Sequence, residues 1–278
     1  MNYLLKVAWR AKHVAGIPPT TVMEAFSRLR WAAARQPRRG PGEFRFPFGV
    51  VHHVDTLSLT GQYWQIFVQQ VYDFESEHDE PVILDCGGNI GLSAIWFKKR
   101  YPKSSVTVFE ADPAITKVLR RNLTSLGVAD VRVVEAAVWV ETGQVPFRAE
   151  GADTGRIDSV DGWHLVDAVR LADFVKEPVD LLKLDVEGAE YAVISDLCAT
   201  GTIGHVKRLI CEVHGRQPEK ELLGALLGQL ADHGLSYTLR DAHYAPGLPG
   251  ACEPTPFPFA RDGKFLANLY AWQPSLGS

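Results

Sequence analysis

The chain has 278 residues, of which 46% are apolar and 22% are charged. This is ordinary globular usage, and the length allows one domain with a sizeable core or one domain with an appendage. The formal net charge of −4 disfavours a nucleic-acid carrier, and no apolar run approaches the ~18 residues that a membrane span needs.

The first 40 residues are basic, unlike the rest of the chain. They contain eight Lys and Arg against Glu24 alone, a net charge of +7. We interpret residues 1–43 as a helical N-terminal extension and linker with a solvated basic face, followed by the main domain, 44–278. Docking to an acidic partner, a membrane surface or an anionic substrate is the alternative. Such helices also suggest a possible homo-oligomer.

The next segment predicts two strands and a helix. The strands are Phe44–Val51 and Val54–Thr60, and an amphipathic helix runs from about Gln62 to Phe74.

From residue 81 onwards, strands alternate with helices. Val82–Cys86 and Leu181–Val186 are apolar runs typical of strands buried on both faces. The other predicted strands are Ser105–Glu110, Val131–Ala137, Gln144–Arg148, Val206–Val213, Tyr237–Arg240 and Phe265–Trp272. The predicted helices are Gly91–Tyr101, Pro113–Leu126, one that ends near Cys198, and Pro218–His233. This alternation predicts an α/β fold with a doubly wound, mostly parallel, Rossmann-like sheet.

The four cysteines are scattered, with no C-x-x-C spacing. Cys86, Cys198 and Cys211 lie in apolar runs, where buried free thiols are expected. The N-terminus shows no apolar core followed by a small-residue cleavage site. We therefore expect a cytoplasmic protein.

A glycine-rich loop, Asp85-Cys86-Gly87-Gly88-Asn89-Ile90-Gly91, joins the first parallel strand to the first helix. Glycines allow a tight turn and a close approach to a ligand, and ligands bind beyond the carboxyl ends of such strands. Glu110 ends the next strand, 25 residues after Asp85. An acidic residue at this position can hold both hydroxyls of a ribose.

The loop departs from G-x-G-x-x-G because Asn89 takes the place of the second glycine, the one that contacts a pyrophosphate. S-adenosylmethionine (SAM) has no phosphate, and it carries an ammonium and a sulfonium. The Asp85 carboxylate can pair with such a positive group directly or through water. The loop therefore favours SAM over NAD.

Three ordered blocks, Asp85–Ser93, Val108–Pro113 and Lys183–Glu190, resemble the signature blocks of FkbM-type methyltransferases. Asn122-Leu123 and Cys211–His214 also fall where that family has matching elements. The resemblance covers about residues 44–272, with Gly88 where alanine is common and Ala111 where proline is common. It implies a class I SAM methyltransferase sheet and methylation of hydroxyls, often on sugars or secondary metabolites.

The predicted cofactor-binding residues lie in this loop and at the neighbouring strand ends. They are Asp85, Gly87, Gly88, Asn89, Gly91, Ser93, Glu110, Ala111, Ala136 and Asp185.

Methyl transfer is an in-line displacement in which a protein positions the nucleophile and removes its proton. We predict Asp185 or His214 as the general base, with Glu212 orienting it and Glu187 as a further catalytic candidate. Alternatively, Glu187 is a first-turn helix acid and Glu190 is solvated or paired with a lysine.

The same residue types also suit a divalent metal, held by Asp185, Glu212 and His214. They lack a dedicated metal spacing, so a metal is possible but not expected.

A polar segment after residue 150 is a candidate lid. Arg156 or Asp158 would contact the substrate, and Trp163 would stack on a sugar or aromatic ring. Alternatively, this segment is a surface loop and Trp163 is a core residue.

The leading hypothesis is a SAM-dependent O-methyltransferase acting on a sugar or a glycosylated natural product. The alternative is N-methylation of an amino sugar or amine. An NAD-dependent oxidoreductase and a non-catalytic SAM-binding protein are less favoured. The expected partner is a small-molecule acceptor, because no target-reading domain for protein or nucleic acid is evident.

Overall fold

The computed structural model describes residues 17–36, 40–128, 130–148, 156–157, 164–216, 220–241 and 264–274. Its α-helices are α1 (Pro19–Ala33), α2 (Thr56–Tyr63), α3 (Leu92–Arg100), α4 (Pro113–Ser125), α5 (Glu190–Ala199) and α6 (Lys220–Asp232). Strands β1 to β6 are Gly42–Phe46, Gly49–His53, Val82–Cys86, Ser105–Glu110, Arg132–Glu135 and Ala137–Trp139. Strands β7 to β13 are Gly143–Arg148, Arg156–Ile157, His164–Arg170, Leu181–Leu184, Arg208–Arg216, Ser236–Asp241 and Lys264–Trp272.

The main sheet has seven strands in the order β12-β13-β11-β10-β3-β4-β5. Strands β11, β10, β3, β4 and β5 are parallel, and β13 lies antiparallel between β11 and β12. The strand order reverses between β3 and β10, which is the switch point where doubly wound sheets bind ligands. The predicted fold class is confirmed.

The two faces of this sheet carry separate apolar clusters. Ile83, Leu181 and Ile210 face the cluster built with α1 to α4. Leu182 and Leu209 face the cluster built with α5 and α6. Side chains alternate along a strand, so Asp85, Lys183, Asp185, Glu212 and His214 continue the first of these faces.

A second sheet of four strands has the order β6-β9-β7-β8. The predicted strand Val131–Ala137 is therefore two strands, which separate at Ala136 and join different sheets. Strand β9 was not predicted from the sequence, although exposed and buried residues alternate in its central part.

The segment before β3 differs most from prediction. Phe44–Val51 is not one strand, because β1 and β2 form an antiparallel hairpin with a turn at 47–48. The strand Val54–Thr60 is wrong, since helix α2 begins at residue 56. The Asp55 carboxylate caps this helix by accepting hydrogen bonds from the backbone N–H groups of Leu57 and Ser58 at 2.7 and 3.2 Å.

The predicted helix from Gln62 to Phe74 ends early. Helix α2 continues as a π-helix, Trp64–Gln69, and stops at Gln70, whose φ is +56°. Gln70 thus ends the helix in the left-handed region.

The described cysteines, Cys86, Cys198 and Cys211, are buried free thiols as predicted. Cys252 lies outside the described residues. In the described part of the chain, no helix has the length and apolar character to cross a membrane.

Candidate active site

The glycine loop is packed tightly against the neighbouring strands. Gly87 has a φ of +79°, and a Cβ there would overlap the Asp185 carbonyl oxygen. A Cβ on Gly88 would overlap the Val108 side chain. Gly87 therefore requires glycine, whereas a side chain at Gly88 would need Val108 to shift.

The backbone N–H groups of residues 87–91 are all occupied within the protein. Two donate to the Phe109 carbonyl at 3.0 Å, and one donates to Glu110 Oε2 at 2.8 Å. The remaining two donate to oxygens inside the loop at 2.7 and 2.9 Å. The loop therefore offers no cluster of free N–H groups of the kind that binds a pyrophosphate.

Glu110 lies at the end of β4 beside this loop. Its carboxylate accepts hydrogen bonds from the backbone N–H groups of Asn89 and Asp112, at 2.8 and 2.9 Å. Burial raises the pKa of Glu110 to about 7, although these two hydrogen bonds oppose the shift. A carboxylate has about four acceptor positions, so further positions remain for the hydroxyls of a ligand.

Asp85 is fully buried at the end of β3. Its Oδ2 accepts a hydrogen bond from Ser93 Oγ at 2.5 Å, and its Oδ1 lies 3.4 Å from Lys183 Nζ. Within the protein, the partners of Asp85 are therefore Ser93 and Lys183, and a contact with a positive ligand stays a prediction.

Lys183, for which the sequence predicted no role, lies at the centre of the site. Its ammonium donates to the carbonyl oxygens of Cys86 and Gly87, at 3.1 and 2.5 Å, and lies 3.4 Å from Asp185 Oδ2. Burial opposes its charge, but Tyr72, Asp185 and Asp85 more than offset this and raise the pKa of Lys183 above its usual range. The sequence does contain an indication of this role, because a lysine inside an apolar strand must pair with buried hydrogen-bond acceptors.

Tyr72 also escaped prediction. It follows the π-helix, and its buried ring lies 5.6 Å from the Lys183 ammonium. Tyr72 falls within the segment predicted as the helix Gln62–Phe74, and helical periodicity does not show that this residue contacts a lysine on a strand.

Three of the predicted catalytic side chains meet beyond the end of β10, where Glu212 and His214 lie within the longer strand β11. One side-chain atom from each residue, a carboxylate oxygen of Asp185 and Glu212 and a ring nitrogen of His214, lies within 4.8 Å of the other two. His214 Nε2 is 3.4 Å from Glu187 Oε2 and 3.7 Å from Glu212 Oε1. The four predicted catalytic residues therefore form one cluster on one face of the sheet.

Glu190 belongs to the same cluster, and its interpretation as a solvated or lysine-paired residue is wrong. It is fully buried, and its Oε1 lies 2.9 Å from His214 Nδ1. The atom that holds His214 Nδ1 is thus on Glu190, whereas Glu212 faces the other ring nitrogen. Helix α5 begins at Glu190, so Glu187 lies in the preceding loop and is not a first-turn acid.

Three side chains of the cluster have pKa values displaced from their usual ranges. Burial raises the pKa of Glu187 to about 8 and that of Glu212 to about 7. Burial alone would lower the pKa of His214, but the hydrogen bond to Glu190 and the carboxylates of Glu187 and Glu212 raise it well above its usual range.

The remaining predicted residues divide into two groups. Gly91 caps α3, while Ala111 and Ala136 follow β4 and β5, at the same edge of the sheet as the glycine loop. For Arg156, the structure describes only its backbone, in β8. Trp163 lies outside the described residues. A substrate role for these two remains a prediction.

The family model described as the Methyltransferase FkbM domain matches residues 85–237. The chain is 32% identical over 162 residues to "Methyltransferase 1" of Beauveria bassiana, which covers 48% of this chain and 65% of that protein. It is 27% identical over 229 residues to "Methyltransferase sdnD" of Sordaria araneosa, covering 66% and 85%. It is 31% identical over 143 residues to the "2-O-methyltransferase NoeI" of Sinorhizobium fredii, covering 43% and 58%.

Among solved structures, the chain is similar to the methyltransferase FkbM from Methylobacillus flagellatus, with 15% identity and a TM-score of 0.46. That match covers 90% of this chain and 58% of the other. A fibrillarin from Aeropyrum pernix with natively bound SAM gives 14% identity and a TM-score of 0.44, covering 85% and 84%.

Proposed function

Because the chain belongs to the FkbM methyltransferase family, we propose that it moves a methyl group from SAM to a hydroxyl of a small molecule. A sugar or a glycosylated natural product is the substrate class we favour. The observation that carries this proposal is the cluster of Asp185, Glu212 and His214, directly beside the glycine loop.

The loop supports SAM over a dinucleotide as the ligand. Its N–H groups are occupied, so a pyrophosphate would lack donors, whereas the ribose of SAM needs only the carboxylate of Glu110. Asp185 is 24% exposed and lies next to Gly87. It is therefore better placed than the buried Asp85 to face the positive groups of SAM.

On the acceptor side, the residues of the cluster position the hydroxyl and take its proton. SAM supplies a methyl group that is open to in-line attack. His214 Nε2 lies between the carboxyl groups of Glu187 and Glu212, whose pKa values burial raises to about 8 and about 7, so these side chains are placed to receive the proton that leaves the hydroxyl. Their partly exposed carboxylates also accept hydrogen bonds from a hydroxyl-rich acceptor. The similarity to a 2-O-methyltransferase supports the same choice.

N-methylation of an amino sugar or amine is the second candidate. The observation in its favour is the set of partly exposed carboxylates, Asp185, Glu187 and Glu212, which would also hold an ammonium group. An amine that is neutral at the working pH needs less base assistance. Loss of His214 should therefore reduce N-methylation less than O-methylation.

The test is a calorimetric titration with SAM and its demethylated product, followed by an acceptor screen of matched hydroxyl and amino sugars. We expect binding of both cofactor forms and turnover on hydroxyl acceptors. Tight NADH binding without SAM binding would overturn the proposal. The screen is run with and without a chelator, and a loss of activity that Mg²⁺ restores would contradict our expectation that no metal is needed.

A further inference from the structure

The buried carboxylate of Glu190 connects two elements of the site. It lies at the first residue of α5 and accepts hydrogen bonds from the backbone N–H groups of Val186 and Gly188, at 3.2 and 2.8 Å. Its Oε1 also contacts His214 Nδ1 on β11, at 2.9 Å. One side chain thus joins the loop after β10 to strand β11.

We propose that Glu190 is a positioning residue that fixes the ring of His214, so that Nε2 and not Nδ1 faces the acceptor. This inference rests on the proposed function, in which His214 belongs to the group that takes the proton. The two edges of the ring differ clearly. Glu190 on the Nδ1 side is fully buried, whereas Glu187 and Glu212 on the Nε2 side are 22% and 14% exposed.

The hydrogen bond also sets the tautomer of the neutral ring. A carboxylate that accepts from Nδ1–H leaves the lone pair on Nε2, the nitrogen that points toward the open side. Glu190 therefore determines which nitrogen can accept a proton.

The same carboxylate holds Glu187 indirectly. Glu187 has a φ of +55°, an uncommon conformation for a residue with a side chain. Val186 and Gly188 flank Glu187, and the backbone N–H groups of both donate hydrogen bonds to the Glu190 carboxylate. These hydrogen bonds stabilise the turn at Glu187. Glu190 therefore contacts Nδ1 of the His214 imidazole itself and holds Glu187 near Nε2.

The charged surroundings of His214 come from several elements. Glu212 lies on its own strand, Asp185 and Glu187 follow β10, and Glu190 begins α5. The direction of the His214 pKa agrees with this arrangement, since the hydrogen bond to Glu190 is the largest contribution that raises it.

The experiment uses the full chain labelled with ¹⁵N-histidine and titrated from about pH 5 to about pH 10, where imidazole changes charge. In the wild type we expect the neutral His214 ring to carry its proton on Nδ1. This measurement needs no variant, and a ring protonated on Nε2 would overturn the inference.

The variant is Glu190→Gln, and Glu187→Gln is the matched control, because it removes a charge of equal size from the Nε2 side only. Whichever way the amide introduced by E190Q turns, its NH₂ group opposes either the ring N–H or a loop N–H. We expect E190Q to lower the pKa of His214 and kcat, the latter about 10- to 100-fold, since a general base contributes about 10²- to 10⁴-fold. The acceptor KM and the SAM affinity should change less than about threefold. E187Q should keep the Nδ1–H tautomer.

A purely structural role predicts a different result. If E190Q lowers the melting temperature but leaves the His214 signals and kcat of the wild type, Glu190 only braces the loop and the inference is wrong. If the wild type transfers no methyl group, yet E190Q alters the tautomer, the proposed function fails while the positioning of the ring by Glu190 holds.

Discussion

We predict that Glu110 links cofactor binding to pH. Its pKa of about 7 means that it is partly protonated at neutral pH, whereas ribose hydroxyls donate best to an ionised carboxylate. We predict that SAM affinity rises as pH increases from about 6 to about 8, by up to about tenfold per pH unit below the pKa. Calorimetry across this range measures the effect, and Glu110→Gln should flatten it.

The same shift has a consequence for stability. Folded Glu110 holds its proton more strongly than the unfolded residue, whose pKa is near 4.5. The contribution of Glu110 to the free energy of unfolding therefore falls as pH rises from about 4.5 through about 7.

A SAM affinity independent of pH in the wild type would show that the ribose does not use this carboxylate.

Lys183 is the residue whose loss should damage the site most. Removing its ammonium leaves Asp85 buried without a positive partner and releases the carbonyl oxygens of the glycine loop. We predict that Lys183→Met lowers the free energy of unfolding by about 3–5 kcal/mol, the usual cost of breaking a buried pair. Urea unfolding measures this.

The control for this prediction is the double variant Asp85→Asn, Lys183→Met. It removes both charges, so it should be less destabilised than the sum of the two single variants. Additive effects would show that the two side chains do not interact.

At the scale of elements, Asn122 on α4 joins the β1–β2 hairpin to the glycine loop. It exchanges two hydrogen bonds with the backbone of His52, at 2.8 and 2.9 Å, and donates to the Ile90 carbonyl at 2.8 Å. We predict that Asn122→Ala destabilises the protein by about 2–4 kcal/mol and weakens SAM binding, because it leaves buried backbone groups unpaired.

Thr124→Ala is the matched control, since Thr124 is an exposed residue of the same helix. It should change the free energy of unfolding by less than about 0.5 kcal/mol. Unchanged SAM affinity in a folded Asn122→Ala protein would show that the hairpin does not influence the loop.

The elements also differ in how far the sequence predicts them. β3, β4 and β10 were predictable because their apolar runs end in chemically distinctive residues such as Asp85, Glu110 and Asp185. Helix α2 was not predicted, because the residues of this segment also suit a strand. The helix is stabilised by the N-terminal cap that Asp55 provides. The pairing of Glu190 with His214 was also hidden, since it depends on the tertiary contact between α5 and β11.

At the scale of the whole molecule, the family model begins at residue 85, but the core begins earlier. Val22, Ala25, Phe26 and Leu29 of α1 are buried in the same cluster as Ile83 and Leu181 of the main sheet. The sequence predicts a boundary at residue 43 from composition alone. Composition does not reveal which apolar face a helix covers, so the packing of α1 remained hidden.

Substitutions on α1 test whether that boundary is also a folding boundary. We predict that Phe26→Ala lowers the free energy of unfolding by about 3–5 kcal/mol in a single cooperative transition, because it opens a cavity in the shared core. Trp31→Ala, at a position 63% exposed on the same helix, should change it by less than about 0.5 kcal/mol. Circular dichroism and the loss of SAM binding, followed together in urea, measure this. If α1 unfolds in a separate step while SAM binding keeps its wild-type midpoint, the segment before residue 44 is an independent extension.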